Sequence, residues 1–149
     1  LTMSSMYIMT CKKKSIVNES LYFYRHNNNS IMHTYDDRIF QIYDALDIIE
    51  QFAKNNKLYK ENKEGIEFAY VYHVLVGTLY RASFMDQFNS DTIKSIVHGV
   101  EKKYPLWYNN KLVNKNLSFI YRIFLFLIKN KRYSLICFLL KKFNKLMYL

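Results

Sequence analysis

Residues 64–85 read EGIEFAYVYHVLVGTLYRASFM, and this stretch decides the fold. Its apolar residues recur at helical spacing and continue almost all the way round the helix. A helix of this kind must be covered by neighbours on several sides. We therefore predict a helical protein with residues 64–85 at its centre.

Further helices are predicted on either side of this centre. One apolar stripe has spacings of three and four and comprises Ile39, Ile42, Tyr43, Leu46, Ile49 and Phe52. Asp47 and Glu50 are expected on the solvent side of that helix. Asp36 and Asp37 fall in its first turn, where a carboxylate opposes the positive end of the helix dipole. Residues 91–103 form another predicted helix, and residues 1–11 form a short one.

The composition agrees with a helical, folded chain. Half of the 149 residues are apolar and 17% are aromatic, which suffices for a core and argues against disorder. Three glycines and one proline provide few tight turns, which favours helices over a many-stranded sandwich or barrel. Cys11 and Cys137 lie far apart among apolar residues, so we expect free, buried thiols in a reducing compartment.

Two short strands are predicted before the central helices. Residues 15–18 (SIVN) and 21–25 (LYFYR) are rich in β-forming residues and flank a turn at Glu19 and Ser20. The predicted fold class is therefore mainly α with a short N-terminal β-hairpin. Because two such strands do not form a stable sheet alone, we interpret them as the last strands of a larger sheet.

A polar turn, residues 25–30 (RHNNNS), follows the second predicted strand. Arg25 offers a forked donor for phosphate oxygens, and His26 can ligate a metal or donate to a phosphate. Asn29 and Ser30 can complete a cradle for an anion or a sugar. The alternative is a solvated hairpin end whose asparagines merely favour a turn, and spacing alone gives this alternative more weight.

The net charge of +10 comes from the C-terminal third. Residues 1–101 hold 11 Lys or Arg and 12 Asp or Glu, whereas residues 102–149 hold 11 Lys or Arg and no acid. Two apolar runs, residues 117–128 and 133–140, are shorter than the roughly 20 residues needed to span a bilayer. We expect residues 111–149 to form amphipathic helices on an anionic membrane surface.

Two alternatives to lipid binding remain for this basic segment. RNA or single-stranded DNA can bind through charge and base stacking, and a soluble helical pair can simply expose a solvated basic face. We favour lipid because the apolar runs are aliphatic as well as aromatic, so nucleic acid is not the expected partner. The sequence has no glycine-rich phosphate loop, no zinc-like His/Cys spacing and no Ser/His/Asp order that would indicate another site.

Residues 15–31 (SIVNESLYFYRHNNNSI) resemble a segment of bacterial family 2 glycosyltransferases, enzymes of the GT-A fold that build capsule, teichoic acid and exopolysaccharide. In that family a strand of the type v-x-e-x-L-Y-x-Y-R leads into r-x-x-S-I. Residues 103–110 (KYPLWYNN) are similar to the C-terminal region of such enzymes. The resemblance divides the chain into the end of a GT-A catalytic domain (1–33), a helical C-terminal region (34–110) and a basic amphipathic anchor (111–149).

The resemblance implies an inverting enzyme that transfers a sugar from a nucleotide-sugar donor to a glycan or lipid-linked acceptor. A divalent metal, Mg or Mn, would hold the donor diphosphate, and a carboxylate would deprotonate the acceptor hydroxyl. Arg25 and Ser30 match family positions near the diphosphate. His26 lies where some members place a metal or phosphate ligand, and Asn29 would shape the turn. The Asp-x-Asp and Glu-Asp motifs of the family do not occur here, so the segment alone is expected to be inactive and without a cofactor.

Two functional hypotheses follow. The first is the C-terminal fragment of a glycosyltransferase for cell-surface polysaccharide, cytoplasmic and peripheral on the inner face of the plasma membrane. The alternative is a self-contained basic helical protein that binds anionic membrane or nucleic acid.

Overall fold

The computed structural model describes residues 1–15, 17–22 and 36–147, with side chains as far as Asn144. Within these ranges the chain forms helices joined by short turns. The α-helices are α1 (Thr2–Thr10), α2 (Gln41–Asn55), α3 (Tyr59–Tyr70), α4 (Leu79–Ala82), α5 (Ser90–Lys103), α6 (Lys111–Asn116), α7 (Phe119–Lys129) and α8 (Tyr133–Met147). A π-helical segment, Val71–Thr78, joins α3 to α4, and 3₁₀ turns lie at Asp37–Phe40 and Trp107–Asn109.

The helix predicted from residues 64–85 is confirmed as the centre of the fold. It begins earlier, at Tyr59, and runs through α3, the π-helical segment and α4 to Ala82. Most apolar side chains of the π-helical segment and α4 are buried, and Val71, Val74, Leu75 and Leu79 have no exposed surface, whereas Tyr72 is 38% exposed. Helices α2, α5 and α7 pack against the π-helical segment, which explains burial on several sides.

The outer helices pack in pairs around this centre. Helix α1 packs on α2, α6 packs on α3, and α8 packs on α5 and α7. The first turn before α2 begins at Asp36, whose carboxylate accepts from the Arg38 backbone N–H at 3.0 Å. Asp36 is therefore the cap of this helix start and not a first-turn residue as expected, whereas Asp37 does lie in the first turn.

The predicted N-terminal β-hairpin, and with it the remnant of an α/β GT-A domain, is wrong. The structure is 75% helical, and the described residues contain no strand or sheet. Val17, Leu21 and Tyr22 are exposed, while residues 16 and 23–25 of the two predicted strands lie outside the described ranges. The physical reason is that β-forming residues need a neighbouring strand and a face to pack against, and the described residues of this segment have neither.

Helix α1 shows a second departure from expectation. None of its residues is buried, and Cys11, which follows it, is exposed rather than buried. Cys137 in α8 is half-buried. Both thiols are free, as the sequence predicts.

Helices α7 and α8 are fixed to the rest of the fold by a narrow inner face. Ile128 of α7 and Ile136 of α8 have no exposed surface and belong to the main core. Near the end of α8, the Asn144 side-chain amide donates to Ser83 Oγ at 2.8 Å. These contacts set which sides of the two helices face outward.

Candidate membrane-binding surface

The site predicted at the polar turn cannot be placed. Arg25, His26, Asn29 and Ser30, including the metal ligand expected at His26, all lie outside the described residues. Over the ranges that are described, no three His, Cys, Asp or Glu side chains group in a way that could hold a metal ion. A candidate site must therefore be sought among the helices.

A buried ion cluster lies where α2 meets the end of α5. Glu50 is 4% exposed, and its Oε2 lies 2.5 Å from Lys103 Nζ and accepts from the Tyr104 hydroxyl at 3.1 Å. The other carboxylate oxygen, Oε1, lies 2.8 Å from Lys54 Nζ. Lys103 Nζ also pairs with Asp47. This cluster joins two helices that are far apart in sequence.

The charges of this cluster stabilise one another. Burial alone would raise the pKa of Glu50, but hydrogen bonds from Lys103 and Lys54 outweigh it and lower that pKa below its usual value. Burial would likewise lower the pKa of Lys103, whereas its bonds to Asp47 and Glu50 raise it. Because both Glu50 oxygens are occupied by internal partners, the cluster is a structural link and not a free acid or base.

The sequence prediction that put Glu50 on the solvent side of its helix is wrong. Glu50 follows Leu46 by four residues and Tyr43 by seven, so its spacing already places it beside the buried stripe. That prediction followed the charge of the glutamate and not its position on the helix. A glutamate is buried here because two lysines and a tyrosine hydroxyl satisfy its oxygens.

Helix α7 is apolar on two opposite sides. Its inner side includes Leu125 and Ile128, which are buried in the core. Its outer side exposes four large apolar side chains, between 46% and 75% each, at Phe119, Ile120, Ile123 and Phe126. Their spacing of three and four residues places them in one stripe along the helix.

Helix α8 repeats this pattern. Ile136 lies on its inner side, while its outer side exposes between 43% and 61% of Leu135, Phe138, Leu139 and Phe143. Phe126 of α7 and Leu135 of α8 line the same cleft, so the two stripes adjoin. We call these eight exposed side chains the apolar face.

Cations without carboxylate partners accompany the apolar face. Residues 111–149 contain nine Lys or Arg and no acid. The five ion pairs found among described side chains all lie between residues 36 and 103. In the C-terminal helices Arg122 instead contacts the Asn114 carbonyl at 3.5 Å, and Lys129 lies 4.1 Å from the centre of the Tyr108 ring. Exposed apolar area beside uncompensated positive charge suits a ligand that is both apolar and anionic.

The two C-terminal helices are each too short to span a bilayer. Helix α7 has 11 residues and α8 has 15, whereas a span needs about 20. Throughout the described chain, no helix is long and apolar enough to cross a membrane.

The chain matches no protein-family model, no curated protein and no solved structure.

Proposed function

We propose that this chain binds the surface of an anionic membrane through α7 and α8, and that it does so as the C-terminal region of a glycosyltransferase acting on a cell-surface polysaccharide or lipid-linked acceptor. The membrane part of this proposal is supported by the apolar face and by the cations near it, which have no carboxylate partner among the described side chains. The enzyme part rests on the resemblance of residues 15–31 to family 2 glycosyltransferases.

The geometry of the apolar face favours insertion to a shallow depth. Each helix has one buried side and one exposed apolar side, so both can lie flat at the level of the lipid headgroups. Transfer of one exposed phenylalanine, such as Phe138, into the acyl region contributes about 1–2 kcal/mol. Each nearby lysine contributes about 1 kcal/mol at an anionic surface. Several residues of both kinds must therefore act together, as their arrangement on α7 and α8 allows.

The membrane test is co-sedimentation of the 149-residue chain with vesicles of phosphatidylcholine alone or mixed with phosphatidylglycerol. Binding is expected only with the anionic vesicles and should weaken as salt is added. Replacement of Phe138 by Ser should weaken binding about tenfold. The matched control is Ile48→Ser on α2, which removes a similarly exposed apolar side chain away from the apolar face and should leave binding unchanged.

The charge contribution has its own matched pair of variants. Lys141→Gln with Lys142→Gln should weaken binding to anionic vesicles about thirtyfold, because two interactions of about 1 kcal/mol are lost. Lys60→Gln with Lys63→Gln removes the same charge from exposed positions on α3 and should have little effect. Equal binding to neutral and anionic vesicles would refute the electrostatic contribution.

Other occupants of the apolar face would give different results. If a second copy of the chain covered the apolar face, sedimentation velocity without vesicles would show a dimer. Phe138→Ser would then dissociate that dimer. Nucleic acid would give tighter binding to single-stranded RNA than to anionic vesicles at the same salt concentration, with loss in the double lysine variant. Either result would overturn the membrane proposal.

The glycosyltransferase proposal is tested separately. It requires that the coding sequence upstream of Leu1 encode an α/β domain with Asp-x-Asp and Glu-Asp motifs, which would bind the nucleotide-sugar and the divalent metal. An open reading frame that starts at or near Leu1 would refute this part. In that case the membrane proposal would stand by itself as the function of a self-contained helical protein.

A further inference from the structure

A cleft of about 680 Å³ opens between the start of α5, the end of α7 and the start of α8. Its volume falls within the range of small-molecule sites. Three cationic side chains line it, Lys94 from α5 and Lys131 and Arg132 from the turn between α7 and α8. Among the described residues, no carboxylate lines it. The cleft therefore combines room for a ligand group with a positive lining.

Hydroxyl groups and a helix N-terminus add to this lining. Ser90 and Ser134 contribute side chains that can donate to an anion. Helix α8 is preceded by Arg132, whose side chain has no acceptor and cannot cap the first amides of the helix. Tyr133 and Ser134, the first two residues of α8, lie in the cleft wall. The positive end of α8 thus reinforces the three cations.

Two carboxylates act on this lining, Asp91 on Lys94 and Glu101 on Tyr133. Asp91 pairs with Lys94 at 2.8 Å, but the two side chains are 83% and 58% exposed. An ion pair this exposed is weak and readily exchanges its partner for another anion. Lys131 and Arg132 have no carboxylate within ion-pair distance among the described side chains.

Two apolar side chains form one edge of the cleft, which we call the apolar lip. Phe126 and Leu135, both members of the apolar face, line it beside the cations. A ligand held here would place an anionic group against Lys94, Lys131 and Arg132 and an apolar group against the apolar face. Three cations suit a group with more than one negative charge, and a phosphomonoester carries between one and two at neutral pH.

From these observations we propose that the cleft binds the phosphomonoester headgroup of a membrane lipid, such as that of phosphatidic acid. The proposal deepens the membrane binding proposed above and rests on it. The apolar face supplies general attachment to an anionic bilayer, and the cleft selects one kind of headgroup within it. Loss of the cleft should therefore abolish selectivity while leaving attachment to other anionic vesicles.

The backbone at Lys131 provides a variant that removes a cation without harming the fold. Lys131 has a left-handed conformation, with φ of 55°, at the end of α7. Its N–H donates to the Ile128 carbonyl at 2.9 Å, and the Arg132 N–H donates to the Leu127 carbonyl at 3.0 Å. This helix ending favours glycine, so Lys131→Gly relieves strain while deleting the charge.

Lys57 offers a matched control at the end of α2. It has φ of 59°, and the amides of Lys57 and Leu58 donate to the carbonyls of Lys54 and Ala53 at 3.1 Å and 2.8 Å. Lys57→Gly therefore changes the same residue type in the same backbone conformation at a site that does not line the cleft. Both variants should keep the helical content of the parent in circular dichroism.

The experiment compares vesicles of equal negative surface charge, made with phosphatidic acid or with phosphatidylglycerol in phosphatidylcholine. We expect the parent chain and Lys57→Gly to prefer phosphatidic acid. Lys131→Gly should lose about fivefold in affinity for phosphatidylglycerol vesicles, because it loses one general interaction of about 1 kcal/mol with an anionic surface. It should lose clearly more for phosphatidic acid, because the headgroup in the cleft also loses a direct partner, so the preference for phosphatidic acid falls. The headgroup proposal would be overturned if Lys131→Gly and Lys57→Gly had equal affinities for the vesicles, or if the parent chain did not prefer phosphatidic acid. Binding to anionic vesicles would still support the membrane proposal in that case.

Inorganic phosphate and soluble dihexanoyl phosphatidic acid separate a lipid site from a site for free phosphate. In a titration followed by amide chemical shifts, soluble phosphatidic acid should shift the amide resonances of Tyr133 and Ser134 to saturation in the parent chain. Lys131→Gly should need about fivefold more of it to reach the same shift. It should bind more tightly than inorganic phosphate, because it also occupies the apolar lip. Both proposals would be overturned if inorganic phosphate bound as tightly as soluble phosphatidic acid or more tightly and the chain bound no vesicles. The cleft would then be a site for a free anion.

Discussion

The ion cluster at Glu50 makes a quantitative prediction about stability. Breaking a fully buried pair costs about 3–5 kcal/mol, and an exposed pair contributes at most about 1 kcal/mol. Glu50 is buried, but the side chains of Lys103 and Lys54 are 31% and 45% exposed and can regain water. We therefore expect Glu50→Gln to destabilise the chain by about 2 kcal/mol. Glu50→Ala should cost about 3 kcal/mol, because the Tyr104 hydroxyl also loses its acceptor.

The assay is urea unfolding followed by fluorescence of Trp107, the single tryptophan, which is 1% exposed. The control is Asp44→Asn, which changes an exposed carboxylate on the same helix and should stay within about 0.5 kcal/mol of the parent. Lys103→Met is the partner variant. If Glu50 and Lys103 interact, the double variant with Glu50→Gln should be less destabilised than the sum of the two single variants.

The pH dependence of stability gives a second reading of the same cluster. Because folding lowers the pKa of Glu50, its contribution is present above the usual value of 4.5 and is lost as the pH falls through the folded value. The parent chain should therefore approach Glu50→Gln in stability as the pH falls below 4.5. Folding raises the pKa of Lys103, so its contribution is present below 10.5 and is lost as the pH rises through the folded value. A Glu50→Gln loss under 0.5 kcal/mol at neutral pH, with parallel pH profiles, would refute the structural role of the cluster.

Three further variants check the start of α5 and the packing of α7. Asn89→Ala should cost about 1 kcal/mol, measured by urea unfolding, because the Asn89 side chain accepts from two amides at the start of α5; an unchanged midpoint would contradict that cap. Ile128→Ala should cost about 3 kcal/mol and Ile120→Ala almost nothing, since Ile128 is fully buried and Ile120 is 75% exposed; equal losses would contradict this orientation of α7.

The helices could be predicted from the sequence because their signals are local. Helix α5 was expected over residues 91–103 and occupies Ser90–Lys103. Its start agrees because Asn89 caps it, and its end agrees because Pro105 disfavours helix in the residue before it. The central helix could be recognised because the apolar residues within 64–85 continue almost all the way round the helix.

The strands and the ion cluster could not be predicted because they depend on distant partners. Residues 15–25 have β-forming side chains, but strand formation requires a neighbouring strand, and the structure offers none in the described part. Burial of Glu50 depends on Lys103, 53 residues later in the sequence, which no local pattern connects to it. The candidate site at Arg25, His26, Asn29 and Ser30 was inferred from the same segment and remains a prediction.

The C-terminal helices show most clearly what a structure adds to a pattern. The sequence indicates two amphipathic basic helices, and an amphipathic helix in a soluble bundle normally turns its apolar side inward. Ile128 and Ile136 do face inward, yet eight large apolar side chains of the same helices still face outward. The packing of the fold therefore does not account for these eight apolar side chains. A surface of this kind needs an occupant, and the absence of any acid in residues 111–149 makes an anionic one the best match.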